Sequence, residues 1–205
     1  MFGLNDIFMK LFNYEFFCKT KIRFKRVFWN LLYASNFKKF GKGVTICNPF
    51  KLHGLKYIEL HDKVFIQDLG WLLALKNDKD NPILRIEEKT YIGHFVHIVA
   101  VKEVIIGKNV LIADKVYIAD NIHDYSNINI PIKDQKIKFK IKVFIGDNSW
   151  IGENVSIIGA SIGKNCIIGA NSVVTNNIQD YSIAVGSPAK IIKKYNFNTN
   201  KWEKS

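Results

Sequence analysis

The chain has 205 residues, of which 48% are hydrophobic, and a formal net charge of +12. This is enough apolar material for one domain with a sizeable core. Three widely separated cysteines argue against a disulfide framework, and the sequence shows neither a membrane-spanning apolar run nor the apolar core of a signal peptide. We therefore expect a cytoplasmic protein.

Residues 1–42 are basic and aromatic, and we expect a helical extension there. Nine basic residues precede Gly43, against two acidic ones. Apolar side chains recur at helical spacing in two groups, which are Phe8, Leu11 and Phe12, and then Phe24, Phe28 and Leu31. Two roles fit such a helix: packing over the open end of the structure that follows, or peripheral contact of residues 1–40 with an anionic membrane. No nucleic-acid motif accompanies the charge, so no nucleic-acid partner is expected.

Residues 43–183 carry a six-residue repeat. Ile46, Ile58, Val64 and Ile66 indicate early, irregular repeats. From residue 86 onward, isoleucine or valine recurs at a step that is nearly always six. These anchor positions are Ile86, Ile92, Ile98, Ile106, Ile112, Ile118, Ile145, Ile151, Ile157, Ile162, Ile168 and Val174. Glycine or alanine follows most of the anchors.

A period of six fits neither an α-helix nor an alternating strand. It fits a solenoid of triangular coils, in which three short strands each send one branched aliphatic side chain inward and a small residue stands at each corner. Stacked coils would bury a continuous ladder of these side chains. The sequence therefore predicts an all-β fold whose only helix-rich part is the N-terminal extension.

The repeat is interrupted once, by a polar segment that begins near His123. We expect a loop at about 121–141, followed by further coils. An excursion from a rigid solenoid is a natural place for a functional site. After the last coil, residues 184–205 form a basic tail, and 77–82 are expected to lie in an external turn.

The last coils carry a family resemblance. The run Ile-Gly-Asp-Asn-Ser-Trp-Ile-Gly-Glu-Asn-Val from Ile145, the run Ile-Gly-Lys-Asn-Cys-Ile-Ile-Gly-Ala-Asn-Ser-Val-Val-Thr from Ile162, and Gly-Ser-Pro-Ala-Lys from Gly186 resemble the hexapeptide-repeat acyltransferases. Among these, the chain is most similar to the O-acetyltransferases of sugars, bacterial capsule and lipopolysaccharide. The resemblance implies a left-handed parallel β-helix, a homotrimer with sites between subunits, acetyl-CoA as cosubstrate and no metal.

The resemblance also places a general base at His123, in Asp-Asn-Ile-His-Asp-Tyr. The chemistry independently requires a base, because a sugar hydroxyl is a poor nucleophile and must lose its proton as it attacks the thioester. An imidazole, with an ordinary pKa of about 6.5, suits this task. Asp120, Asn121 and Asp124 are expected near the ring or the acceptor.

Further site residues follow from the same resemblance. Trp150 lines the cleft in the family and is expected to contact acceptor and cofactor. It precedes the inward-pointing Ile151, so its side chain should point outward. The expected acetyl-CoA contacts are Ala170, Thr175, Asn176, Lys190 and Lys193. A trimer-interface role for Trp150 and a solvated tail for the lysines are the alternatives.

Three functions remain open at this point. The first is O-acetylation of a bacterial surface glycan or its precursor. The second is N-acetylation of an amino-sugar nucleotide or a small acceptor, which the same fold supports. The third is a non-catalytic or metal-binding trimer, in which His94 and His97 would join His123 as ligands.

Overall fold

The computed structural model describes residues 13–77 and 81–205. The predicted helical face around Phe8 and Phe12 and the centre of the predicted external turn lie outside these ranges. Within them, the chain winds through six triangular coils. The strands of the first four coils are β1 (Lys39–Phe40), β2 (Thr45–Ile46), β3 (Lys51–His53), β4 (Ile58–Leu60), β5 (Phe65–Ile66), β6 (Trp71–Ala74), β7 (Ile83–Ile86), β8 (Tyr91–Ile92), β9 (His97–Ala100), β10 (Glu103–Ile106), β11 (Leu111–Ile112) and β12 (Tyr117–Ala119).

The inserted loop, residues 121–141, follows and contains two strands of its own. After it come two more coils and a C-terminal hairpin. The remaining strands are β13 (Asn121–His123), β14 (Ile137–Phe139), β15 (Val143–Ile145), β16 (Trp150–Ile151), β17 (Ser156–Ile158), β18 (Ile167–Ile168), β19 (Val173–Val174), β20 (Ser182–Val185), β21 (Lys190–Asn196) and β22 (Lys201–Lys204).

The strands of the coils form three sheets, which are the sides of a triangular prism. Sheet A has the order β1-β4-β7-β10-β15, sheet B begins β2-β5-β8-β11-β16-β18-β20, and sheet C has the order β19-β17-β12-β9-β6-β3. Each coil visits A, B and C in turn, and neighbouring coils pair in parallel. This is the predicted left-handed parallel β-helix.

The repeat explains the core. All twelve anchor residues from Ile86 to Val174 have no solvent exposure. In sheet C, for example, Ile118 stacks between Ile98 of the preceding coil and Ile157 of the following one. Each fully buried aliphatic side chain contributes roughly 1.5 to 3 kcal/mol. The predicted ladder of anchors is confirmed.

The small residues after the anchors are needed because successive coils touch at the corners. A Cβ atom on Gly146 would collide with the backbone of Gly163 and Lys164 in the next coil. Asparagine or lysine occupies most of the left-handed corner positions, such as Asn109, Asn148 and Asn165. Asparagine tolerates this conformation well, so the corner chemistry matches the fold.

The N-terminal extension contains helix α1 (Tyr14–Leu32), which lies on β2 of the first coil. Asn13 caps it, because its side chain accepts hydrogen bonds from the backbone N–H groups of Glu15 and Phe16. Trp29 packs against the hydrophobic core, and Arg26 Nε donates to Thr45 Oγ1 at 2.9 Å. No residue of α1 is fully buried.

The predicted basic tail is more ordered than expected. β21 pairs antiparallel with β20, and β22 with β21, so that residues 182–204 extend sheet B as a meander. Tyr195 packs against Phe197 and Trp202, and Phe197 also packs against Tyr181. Ala189 N donates to Val173 O at 2.8 Å, which ties the turn to the last coil.

No helix in the described parts of the chain has the length and apolarity to cross a membrane.

Candidate functional site

The inserted loop leaves the prism at the corner between sheets C and A. Asp120 anchors this departure. Its carboxylate accepts hydrogen bonds from the backbone N–H groups of Val101, Lys102 and Glu103 at 2.8 to 3.2 Å, and from Asn121 Nδ2 at 2.9 Å. Asp120 is fully buried and Asn121 is nearly so. Both side chains fix the loop to the preceding coil.

The following coil holds the other side of the loop base. Lys140 N donates to Asp120 O at 2.8 Å, and Lys140 Nζ donates to Ile158 O at 2.9 Å. The aliphatic part of Lys140 lies directly over Gly159, which has a φ of +54°. A side chain at Gly159 would occupy the space of the Lys140 Cγ atom, 2.8 Å from the ideal Cβ position. Glycine is thus favoured both by its backbone angle and by this approach.

Between these anchors the loop rises as a hairpin. β13 pairs antiparallel with β14, which places His123 opposite Ile137 at the far end of the pair. The His123 side chain is exposed. Because the hairpin is tied to coils on both sides, His123 has a defined position with an accessible imidazole, and this is what a general base acting on a bound hydroxyl requires.

The hairpin tip is organised by its own side chains. Asp124 accepts a hydrogen bond from Ser126 N at 3.0 Å, and this bond holds the pKa of its carboxyl below the ordinary value. Gln135 Nε2 donates to the carbonyl oxygens of Asn127 and Ile130, both at 2.8 Å. A preformed tip gives the segment after His123 a fixed shape.

Two of the expected cofactor residues share the corner of the inserted loop. Thr175 and Asn176 follow β19, the sheet C strand of the last coil, whereas the loop follows β12, the sheet C strand two coils earlier. At about 4.8 Å per coil, this separation is roughly 10 Å along the prism axis. His123, Asp124, Thr175 and Asn176 therefore lie along one edge, which we call the CA edge.

The other expected site residues lie elsewhere on the prism. Trp150 starts β16 in sheet B and is 49% exposed, so the predicted outward orientation is confirmed. Ala170 lies at the corner between sheets B and C, and Lys190 and Lys193 are exposed on β21 at the end of sheet B. Sheet B is the side of the prism opposite the CA edge. One chain therefore does not bring these two groups of residues into one cleft.

The histidines of the alternative metal site have other partners. His97 lies in sheet C between Trp71 and Tyr117, with ring centroids at 4.5 and 5.3 Å, and burial lowers its pKa. His94 Nδ1 lies 3.3 Å from Asp114 Oδ1. Within residues 13–77 and 81–205, no three His, Cys, Asp or Glu side chains converge on a possible metal position.

The sequence reasoning missed an apolar patch on the corner between sheets B and C, which we call the apolar corner. It consists of Phe50, Leu69, Trp71, Phe95 and His97, which line a groove of about 420 Å³. Leu69 and Phe95 have left-handed φ angles of +62° and +56°, at the position where later coils carry Lys115, Asn154 and Asn171. Bulky residues seldom adopt this conformation, and an exposed apolar patch is typical of an interaction surface. The sequence signal for this patch was the presence of Leu and Phe at a corner position of the repeat.

Comparison with known proteins places this geometry in a family. A family model described as the hexapeptide repeat of succinyl-transferase matches residues 142–176. The chain is 43% identical to a probable acetyltransferase of Mycobacterium tuberculosis over 167 residues, which is 80% of this chain and 51% of that protein. It is 39% identical to the putative lipopolysaccharide biosynthesis O-acetyl transferase WbbJ of Escherichia coli over 131 residues, or 60% of this chain and 66% of WbbJ.

Among solved structures, the fold is similar to that of AntD, an N-acyltransferase from Bacillus cereus crystallised with dTDP and 3-hydroxybutyryl-CoA. The TM-score is 0.67 at 21% identity, covering 83% of this chain and 89% of AntD. The chain spans about half the length of the mycobacterial relative and about two thirds of WbbJ. With the coils, the corner residues and the inserted loop, these similarities show that the chain belongs to the hexapeptide-repeat acyltransferases of the left-handed β-helix fold.

Proposed function

We propose that the protein is an acetyl-CoA-dependent O-acetyltransferase that acts on a sugar hydroxyl of a bacterial surface glycan, such as capsule, lipopolysaccharide or a precursor. The observation that carries this proposal is the anchored hairpin that presents His123. The 39% identity to WbbJ, a putative lipopolysaccharide O-acetyl transferase, supports the acceptor class. AntD was crystallised with an acyl-CoA, which supports the cosubstrate.

In the proposed mechanism, His123 takes the proton from the acceptor hydroxyl as its oxygen attacks the thioester carbon. A tetrahedral oxyanion forms and then collapses, so that the C–S bond breaks. The CoA thiolate receives a proton from the His123 imidazolium. One ester and one CoA thiol are produced, and no acyl-enzyme is formed. Backbone N–H groups of a facing coil would stabilise the oxyanion.

The site is completed in a homotrimer. His123, Asp124, Thr175 and Asn176 lie along the CA edge, whereas Trp150, Ala170, Lys190 and Lys193 lie on or beside sheet B. A cleft that uses both groups needs two copies of the chain. We assign Trp150 to the acceptor and the cofactor, Ala170, Thr175 and Asn176 to the cofactor, and the ammonium groups of Lys190 and Lys193 to the CoA phosphates.

Exposed apolar surface supports this assembly. The inserted loop exposes Tyr125, Ile128 and Ile132, with Ile128 94% exposed, and the apolar corner exposes Phe50, Leu69 and Phe95. Contact between a loop of one copy and the apolar corner of the next would bury both patches. Such a head-to-tail contact repeats around a closed ring.

N-acylation of an amino-sugar nucleotide is the second candidate. The similarity to AntD, an N-acyltransferase solved with dTDP, favours it. We rank it second because AntD is 21% identical, against 39% for WbbJ. The product separates the two reactions: hydroxylamine cleaves an acetyl ester but leaves an acetamide intact.

We place the protein in the cytoplasm, where acetyl-CoA is available, with peripheral contact at the inner face of the membrane. The three cysteines are free, and Cys47 and Cys166 are buried, which suits a reducing compartment.

The test is thiol release from acetyl-CoA by the purified protein with sialylated, galactosyl and amino-sugar acceptors. We expect His123→Ala to lose about 100-fold or more in turnover. His53→Ala is the matched control, because His53 is exposed on β3, far down the prism from the hairpin. Equal thiol release by wild type and His123→Ala with a productive acceptor would refute the mechanism. Retained CoA binding by His123→Ala, measured calorimetrically, would separate lost chemistry from lost folding.

A further inference from the structure

Helix α1 has one side that the other described parts of the chain leave largely exposed, with the Phe28 ring alone packed against Tyr33, 5.6 Å between ring centroids. Its apolar residues on that side are Phe16, Phe17, Phe24, Val27, Phe28 and Leu31, with exposed fractions of 50%, 60%, 68%, 55%, 38% and 78%. At 100° per residue, Leu31, Phe24, Phe17 and Phe28 form a continuous stripe, with Phe16 and Val27 beside it. We call these six residues the outer face of α1.

The opposite side of α1 is fixed to the β-helix. Lys25 Nζ lies 3.6 Å from Asp68 Oδ1, Arg26 Nε donates to Thr45 Oγ1 at 2.9 Å, and Trp29 packs against the core. These contacts set the rotation of the helix. The outer face therefore points away from the prism because of specific contacts on the other side.

Basic residues flank the outer face. On the helical wheel, Lys19 and Arg23 lie along one edge, and Lys21 lies along the other, next to Lys25. Glu15 is the only acidic residue of α1. An apolar stripe between two basic edges matches a helix that lies in the plane of a membrane, with its rings among the acyl chains and its cations at the lipid phosphates.

We propose that the outer face of α1 binds the surface of an anionic phospholipid bilayer and holds the β-helix against it. Charge distinguishes this partner from a second copy of the chain. Two outer faces packed together would bring their lysine and arginine edges close to each other, in a protein whose net charge is already +12. An anionic surface neutralises the same edges. This inference does not depend on acyl transfer.

The experiment is co-sedimentation of the full-length protein with vesicles. We expect binding to vesicles of phosphatidylglycerol and phosphatidylcholine, and little binding to phosphatidylcholine alone. Phe24→Ser should weaken binding by about 10-fold, because an aromatic ring leaves the acyl layer. Phe144→Ser is the matched control, because Phe144 is also exposed but lies on sheet A.

The charge contribution has its own pair of variants. Lys19→Gln with Arg23→Gln should weaken binding by roughly 25-fold at low salt, since each basic side chain near an anionic surface contributes about five-fold. Lys76→Gln with Lys201→Gln removes the same charge from exposed positions off the helix and should change binding much less.

Equal vesicle binding by wild type and Phe24→Ser would overturn the proposal. If the oligomeric state of Phe24→Ser, measured by sedimentation velocity, changes at the same time, the outer face is a protein interface instead. Thiol release with a water-soluble acceptor should be the same in Phe24→Ser and wild type, so this test and that of the acyl transfer fail separately.

Discussion

Isoleucine side chains are buried in the coils but exposed in the inserted loop. The six anchors from Ile86 to Ile118 have no exposure at all, whereas Ile128 is 94% exposed and Ile132 is 56% exposed. In the coils each anchor is stacked between neighbours, and backbone pairing continues above and below it. The inserted loop is held at its base by Asp120 and Lys140 and is otherwise shaped by its own hydrogen bonds. Stability therefore resides in the coils, whereas the proposed catalytic base lies in the loop, and the two regions should respond separately to substitution.

The largest effect should come from the coils. Ile118→Ala removes a fully buried side chain between Ile98 and Ile157 and leaves a cavity, which should lower the free energy of unfolding by about 3 to 4 kcal/mol. Urea unfolding at a fixed protein concentration measures the loss. Ile128→Ala is the same substitution in the inserted loop, where the side chain is 94% exposed within its own chain, and should change the stability of the separated monomer by less than about 0.5 kcal/mol. Similar losses in both variants would break the distinction between coils and loop.

The second effect lies where the two regions meet. Asp120→Asn turns one acceptor oxygen into an N–H₂ donor that faces backbone N–H groups of residues 101–103. We expect a loss of about 2 to 3 kcal/mol in the free energy of unfolding, because buried donors are left unpaired. Turnover should fall as well, because the hairpin under His123 is no longer fixed.

Asp124→Asn provides the control for Asp120→Asn. Asp124 accepts its hydrogen bond from Ser126 N near the surface, and an asparagine oxygen accepts the same bond. The free energy of unfolding of Asp124→Asn should therefore equal that of the wild type. A loss as large as that of Asp120→Asn would show that the hairpin tip, and not the base, holds the loop.

The third prediction concerns charge on the coils. Burial alone would raise the pKa of Glu59, but hydrogen bonds and charge from Arg85, at 2.6 Å, and Lys38, at 2.8 Å, lower it to about 2 from an ordinary value of 4.5. A lowered folded-state pKa stabilises the fold above the ordinary value, and this contribution is lost as the pH falls from 4.5 toward 2. Glu59→Gln should lower the free energy of unfolding by about 2 kcal/mol at neutral pH and flatten its acid dependence.

Glu153→Gln is the matched control for this pair. Glu153 lies 3.0 Å from Lys115, but both side chains are more than half exposed, so the pair contributes little. Unfolding curves measured between pH 7 and pH 3 should overlap for wild type and Glu153→Gln. An acid dependence that survives in Glu59→Gln would assign the acid sensitivity to other carboxylates.

The fold could be predicted from the sequence because the hexapeptide period is local: each coil repeats the same inward side chain and the same corner. The anchoring role of Asp120 could not be predicted, because its carboxylate binds backbone N–H groups of the preceding coil. One of them belongs to Val101, nineteen residues earlier in the sequence. Strands β21 and β22 in the basic tail were not predicted, because their antiparallel pairing depends on where β20 ends. Leu69 and Phe95 were missed because polar residues are the usual occupants of left-handed corners. The location of His123 was predicted, whereas the anchoring of its hairpin required the structure.

The smallest expected effect concerns the contact between Lys140 and Gly159, where the inserted loop meets the following coil. We call this contact the joint. Gly159→Ala introduces a methyl group at a φ of +54° and against the side chain of Lys140. Gly43→Ala, at a φ of +73° with its nearest neighbour 3.7 Å away, carries the backbone strain without the collision. We expect both to lose about 1 kcal/mol from strain, and Gly159→Ala to lose in addition the hydrogen bond from Lys140 Nζ to Ile158 O. Turnover should fall only in Gly159→Ala, and part of it should return in the double variant with Lys140→Ala, since this change removes the Lys140 Cγ and Cδ atoms and leaves only the Cβ contact at 2.9 Å. If Gly43→Ala and Gly159→Ala behave alike in both stability and turnover, the loop does not depend on this joint, and the position of His123 must be set by the Asp120 anchor alone.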